Sequence, residues 1–219
     1  MLWRNDSARH LIVLGLYLRM AKKYVDYGFH LWAEINRNEN GLGLSRDTLG
    51  YFSTSGGICS VVLYFFLFNK AKVEDLPYLI KRSFLLISLT IMTFPFLIYL
   101  NGAILHYSLF LLVLSFMINE AIIFTGWVGL LNICLPKKIR AKSYSLSLAL
   151  KGVIGSTCSI AIFKGFRSSL ESDFLTRTIG PLNSMIFFWI FAGLSLSMLI
   201  FYRKLQVKTS SDGTSIMST

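Results

Sequence analysis

A chain of 219 residues that is 54% hydrophobic and only 15% charged has too few polar residues to cover a soluble domain. Its mean hydropathy of +0.58 points the same way. The formal net charge of +11 calls for no nucleic-acid partner, because cytosolic loops meeting anionic lipid headgroups account for most of it.

The class left is an all-α, polytopic membrane protein. Crossing the hydrocarbon core takes roughly 20 residues of helix, and six apolar runs are long enough, at about residues 10–32, 48–69, 83–101, 103–135, 143–165 and 182–202. Together they form one six-helix domain over 1–205, followed by a polar, Ser/Thr-rich tail over 206–219 that is expected to be disordered. The polar opening MLWRNDSARH, with no small-residue cleavage site after the first run, reads as no secretory signal.

The first run is interrupted by RMAKKYVDY. Arg19, Lys22, Lys23 and Asp26 are spaced i, i+3, i+4 and i+7, so a helix collects them in one sector. A lipid-facing charge at mid-depth costs at least ~2.5–3.5 kcal/mol. That face is therefore expected to look into protein or a watery cavity, with Asp26 neutralising Lys22 or Lys23. The other reading starts the span later and leaves Arg19 to Lys23 snorkelling at the interface. Between the first and second runs, Gly41–Gly43 is a loop turn with no strand before it, not a phosphate cradle.

The third and fourth runs, joined by an Asn101-Gly102 turn, are the most apolar. Near the middle of the fourth stand Asn119 and Glu120. The fifth carries Lys151 after the serine-rich SYSLSLALKG, and Glu120 and Lys151 are placed to pair across adjacent antiparallel helices. A membrane carboxylate is also the usual proton carrier, so a structural ion pair and a functional one both fit. Gly56, Gly57, Gly126, Gly129, Gly152 and Gly155 let helix backbones approach closely, and they make the fifth span look buried in the bundle.

Lys and Arg cluster in alternate connections. Lys70, Lys72, Lys81 and Arg82, then Lys137, Lys138, Arg140 and Lys142, fall on the side shared with both termini; Arg37, Arg46, Lys164, Arg167 and Arg177 fall on the other. The positive-inside rule puts both ends in the cytosol. Cys59, Cys134 and Cys158 lie in different spans with no CxxC pair and no nearby His, so they read as buried thiols. His10, His30 and His106 sit near span ends. No metal set, cofactor motif or paired-carboxylate centre is visible, and an integral-membrane enzyme is disfavoured.

The order of these features resembles a known family. Leu31-Trp32-Ala33 ends the first span, GLGLSRDTLGYFSTSGG leads into the second, and a basic turn, LPKKIRAKS, runs into a Ser/Gly-rich fifth span. This looks like the C-terminal six-helix half of a major facilitator superfamily transporter, closest to the zinc-induced-facilitator-like and drug:proton antiporter branch. Leu42, Ser45 and Gly50 match that branch's Gly-rich segment, and Pro136 and Arg140 its penultimate turn, with Ala141 where Gly is preferred. The resemblance implies a secondary, proton-coupled carrier of a small solute, with two six-helix halves around a central site.

The N-terminal half with its signature inner loop is not in this chain, which would be a fragment or a half-size protein pairing with a second half or a copy of itself. The substrate pathway is then expected to include Arg19, Lys22, Lys23, Asp26, Asn119, Glu120 and Lys151. Its basic wall disfavours a divalent cation and suits an organic anion or amphiphile. A plasma membrane or a vacuole-like organelle would each supply the proton gradient. The reading from another class is a non-transporting remnant, or a regulatory partner of another carrier.

Overall fold

The computed structural model describes residues 12–16, 25–68, 75–134, 137–170, 183–202, 206–209 and 215–218. Among them the chain is helical, apart from an antiparallel pair in the tail, β1 (Gln206–Thr209) with β2 (Ser215–Ser218). That pair lies within the segment expected to be disordered. The first run contributes helix over 12–16, a π turn at Val25–Phe29 and α1 (His30–Glu34).

The longer helices are α2 (Arg46–Phe68), α3 (Leu76–Thr93), α4 (Gly102–Cys134), α5 (Lys137–Leu170) and α6 (Asn183–Tyr202). Each begins where local chemistry allows. Ser45 caps α2, its hydroxyl oxygen accepting from the Thr48 N–H at 3.2 Å, while Asp47 in the first turn favours the positive end of the helix dipole. Pro77 stands in the first turn of α3, where no N–H is missed. Pro95 then cannot continue the α-helical ladder, and the chain tightens into a 3-10 segment over Phe94–Tyr99.

Among the described residues, three stretches are long and apolar enough to cross a membrane: Arg46–Phe66, Leu76–Tyr99 and Gly102–Ile133. A shorter apolar stretch occupies Phe188–Ser197 in α6. Of the six spans expected from the sequence, these three qualify by length and composition among the described residues.

α3 is the central element. It packs along α4 on one side and α6 on the other, while α2 packs on α4. Half of the α3 span is buried inside the protein, against 17% of the α2 span. Ile80, Phe84, Ile87 and Ile91 form its buried stripe, and Leu105, Leu109, Val113, Phe116, Ile123, Trp127 and Leu130 that of α4. Both follow the three-and-four spacing that puts residues on one helix face. Glycines set the distance: a Cβ on Gly126 would come 2.7 Å from Ile80, one on Gly129 3.1 Å from Leu76, and one on Gly15 2.6 Å from the Trp127 ring. Outward faces carry Ile58, Val61, Phe65 and Phe66 on α2 and Ile104, Leu111 and Phe124 on α4, as lipid contact requires.

Beyond the first turns of α5, several of the described side chains are exposed. Leu148, Val153 and Ile160 are exposed, and Gly152 has open space where a Cβ would stand. Small residues permit close approach only where a neighbour is present. In the first turns of α5, Ser143 is fully buried and the Tyr144 ring lies 6.3 Å from that of Trp127. Gly57 is likewise open, whereas a Cβ on Gly56 would meet Val113 and Met117 at 3.3 Å.

Candidate functional site

Of the polar groups buried in the apolar interior, four lie on α3 and α4, and one hydroxyl pair bridges the two helices. Thr90 and Ser115 face each other with hydroxyl oxygens 3.2 Å apart. Thr90 donates its one hydroxyl hydrogen to the Leu86 carbonyl at 2.8 Å, so Ser115 is the donor between them. Asn119, one turn further along α4, donates from Nδ2 to the Ser115 carbonyl at 2.8 Å. Ser88 returns its hydrogen to the Phe84 carbonyl at 2.8 Å. Ser83, Ser88, Thr90 and Asn119 are all buried.

This seam is what burial in hydrocarbon demands, since a buried polar group without a partner is costly. Asn119 is 6% exposed, yet its amide has a second N–H and a carbonyl oxygen beyond the Ser115 bond. Glu120 is half-buried and falls in helical register with Phe116, Ile123 and Trp127, all buried. Of the residues expected to form a pathway, these two are brought together on the core side of α4.

The others are not described to the same depth. Arg19, Lys22 and Lys23 lie outside the described residues. Asp26 falls in the Val25–Phe29 turn and Lys151 in α5, with backbone alone described for each. The expected Glu120–Lys151 pair involves a lysine side chain that lies outside the described residues. The first run is nevertheless anchored at both ends. Gly15 sits against Trp127 of α4, and Phe29 stacks on Phe94 with ring centroids 4.7 Å apart. Asn119 lies on α4 between those levels.

A second polar cluster closes the end of the bundle beyond Phe94. Arg37 donates from Nη1 to the Asn101 side-chain oxygen, from Nη2 to the Leu100 carbonyl at 2.5 Å and from Nε to the Leu42 carbonyl at 3.3 Å. The Trp32 indole N–H donates to the Asn40 carbonyl at 2.8 Å, and Arg46 pairs with Glu34 at 3.0 Å. The loop after the first run and the turn between α3 and α4 therefore occupy the same face, as an alternating topology requires. Nothing local in the sequence marks Arg37 for the contact with Leu100 and Asn101, because those partners lie more than sixty residues away. Thr90 and Ser115 were also missed, since hydroxyls scattered through apolar runs read as neutral until the helices are docked.

No three His, Cys, Asp or Glu side chains converge on a common point among the described residues. No family model, curated protein or solved structure matches this chain.

Proposed function

We propose that the chain is a six-helix membrane module that moves a small solute as a secondary, proton-coupled carrier, one half of a major facilitator-like transporter. It acts with a second six-helix half or a second copy of itself, in a plasma membrane or a vacuole-like organelle. The observation that carries this reading is Asn119 buried beside Glu120 on the core side of α4, at the middle of a helix long and apolar enough to span the bilayer. Intramembrane polar and ionisable groups facing a bundle interior are costly and mark solute or proton pathways.

In this reading the amide of Asn119 offers solute hydrogen bonds, and Glu120 carries the proton. Arg19, Lys22, Lys23 and Asp26 supply the opposite wall from the first span, whose described ends bracket the Asn119 level. Lys151 completes the pathway from α5. The excess of cations selects an organic anion or an amphiphile over a divalent metal.

The test is solute-driven proton movement in sealed vesicles carrying the chain, read by a trapped pH dye across a panel of organic anions and amphiphiles. The native chain is expected to couple at least one solute to proton flux, and Glu120→Gln to abolish that coupling while still inserting. Undiminished coupling in Glu120→Gln removes Glu120 from the proton role. An antibody to the tail VKTSSDGTSIMST reads the size of the working unit: a band near 24.8 kDa means a half-size carrier, to be cross-linked to its partner, and a band twice that size means a longer transporter.

A further inference from the structure

At the Arg37 end of the bundle, two layers stand between the surface and the polar seam. The inner layer is a cluster of four buried aromatic rings from three parts of the chain: Phe29 and Trp32 of the first run, Phe94 after α3, and Phe188 of α6. Trp32 meets Phe188 edge-on at 5.2 Å, and Phe94 meets Phe188 at 6.2 Å. Apolar constrictions of this kind exclude water and ions when shut. The outer layer is Arg37, exposed at the surface, with its guanidinium spread over Leu42, Leu100 and Asn101.

Arg37 stands on a fixed platform. Leu42, Gly43 and Leu44 donate backbone hydrogen bonds to Trp32, Ile35 and Ala33 at 3.4, 2.8 and 2.8 Å, folding the loop back on the end of the first run. Asn40 and Gly43 take left-handed φ values of 65° and 66°, and a Cβ on Gly41 would come 2.1 Å from the Ile35 carbonyl oxygen. A residue so held returns to the same place each time it lets go. Its acceptors on the α3–α4 turn are neutral and lie at the surface, so their net hold is modest and release is cheap. The aromatic layer has no such reversible attachment.

We propose that Arg37 is the clasp of a gate: while it holds the α3–α4 turn, the aromatic layer stays shut, and its release lets the first run part from α3 and opens the seam to that face. The proposal rests on the carrier reading for its purpose, but its test needs no transported solute. Ser88→Cys serves as the reporter, because Ser88 is fully buried, nearly isosteric with Cys, and six residues deeper than Phe94. It is placed in a chain with Cys59, Cys134 and Cys158 changed to Ser. A membrane-impermeant maleimide is then applied from the Arg37 face of sealed vesicles.

Slow labelling is expected with Arg37 in place, and labelling about tenfold faster with either Arg37→Ala or Arg37→Lys, since a lysine lacks the planar fork that spans three acceptors. Asn101→Ala, which removes one acceptor and leaves Arg37 intact, is expected to raise the rate by a smaller factor of about three. It also answers the question should the Arg37 variants fail to insert. Reporter labelling that is already fast in the parent, or that stays at the parent rate in the variants, overturns the clasp. Failure of solute-coupled proton flux with this labelling pattern intact would instead remove the carrier reading and leave the gate.

Discussion

α4 touches its two sequence neighbours in opposite ways. Against α3 it is interlocked, with Gly126 and Gly129 pressed onto Ile80 and Leu76 and the Thr90–Ser115 bond across the seam. Against α5 it makes little contact among the described residues, and α5 leaves Leu148, Gly152, Val153 and Ile160 uncovered. Both regions use the same vocabulary of glycine, serine and β-branched residues. The difference is whether a partner surface is present among the described residues, which teaches that small residues give permission for close packing and do not compel it.

Substitutions can break or sharpen that contrast. Trp127→Ala removes a fully buried ring that seats Gly15 and is expected to cost about 3–5 kcal/mol, read as a large fall in the melting temperature of the detergent-solubilised protein. A wild-type melting curve would mean the first run does not dock on α4. Gly126→Val forces a side chain into Ile80 and is expected to cost about 1–3 kcal/mol through overpacking, seen in the same melts. Gly152→Ala meets open space and carries a better helix former, so it should be neutral or stabilising by up to about 1 kcal/mol. A loss as large as that of Gly126→Val would show that α5 is as tightly packed as α4. Thr90→Val keeps the shape and removes the hydroxyl bridge, with an expected cost of about 0.6 kcal/mol; a much larger loss would make the seam the main tie between α3 and α4.

The positions of the helices were legible in the sequence, because long apolar runs have few alternatives to helix in a hydrocarbon setting. The start of α3 was not. Lys81 and Arg82 read as an inner loop, yet they lie inside α3 and are exposed, since long cationic side chains can leave a helix for the surface without ending it. Asn119 and Glu120 were visible as polar residues in an apolar run, and the core register of α4 places both inward. What no reading of single segments could supply was pairing at a distance: Thr90 with Ser115, and Arg37 with Leu100 and Asn101. Each depends on how helices dock, and the sequence encodes that only through the summed fit of their faces.

The central claim is that Asn119 lines a water-reached path and does not merely help to glue α3 to α4. In a chain with Cys59, Cys134 and Cys158 changed to Ser, Asn119→Cys should react with a water-soluble maleimide presented to both faces of the membrane. Phe124→Cys, on the outward side of the same helix, should stay unreacted. If Asn119→Cys proves as inert as Phe124→Cys, the interior is dry, the seam is packing alone, and the carrier reading fails.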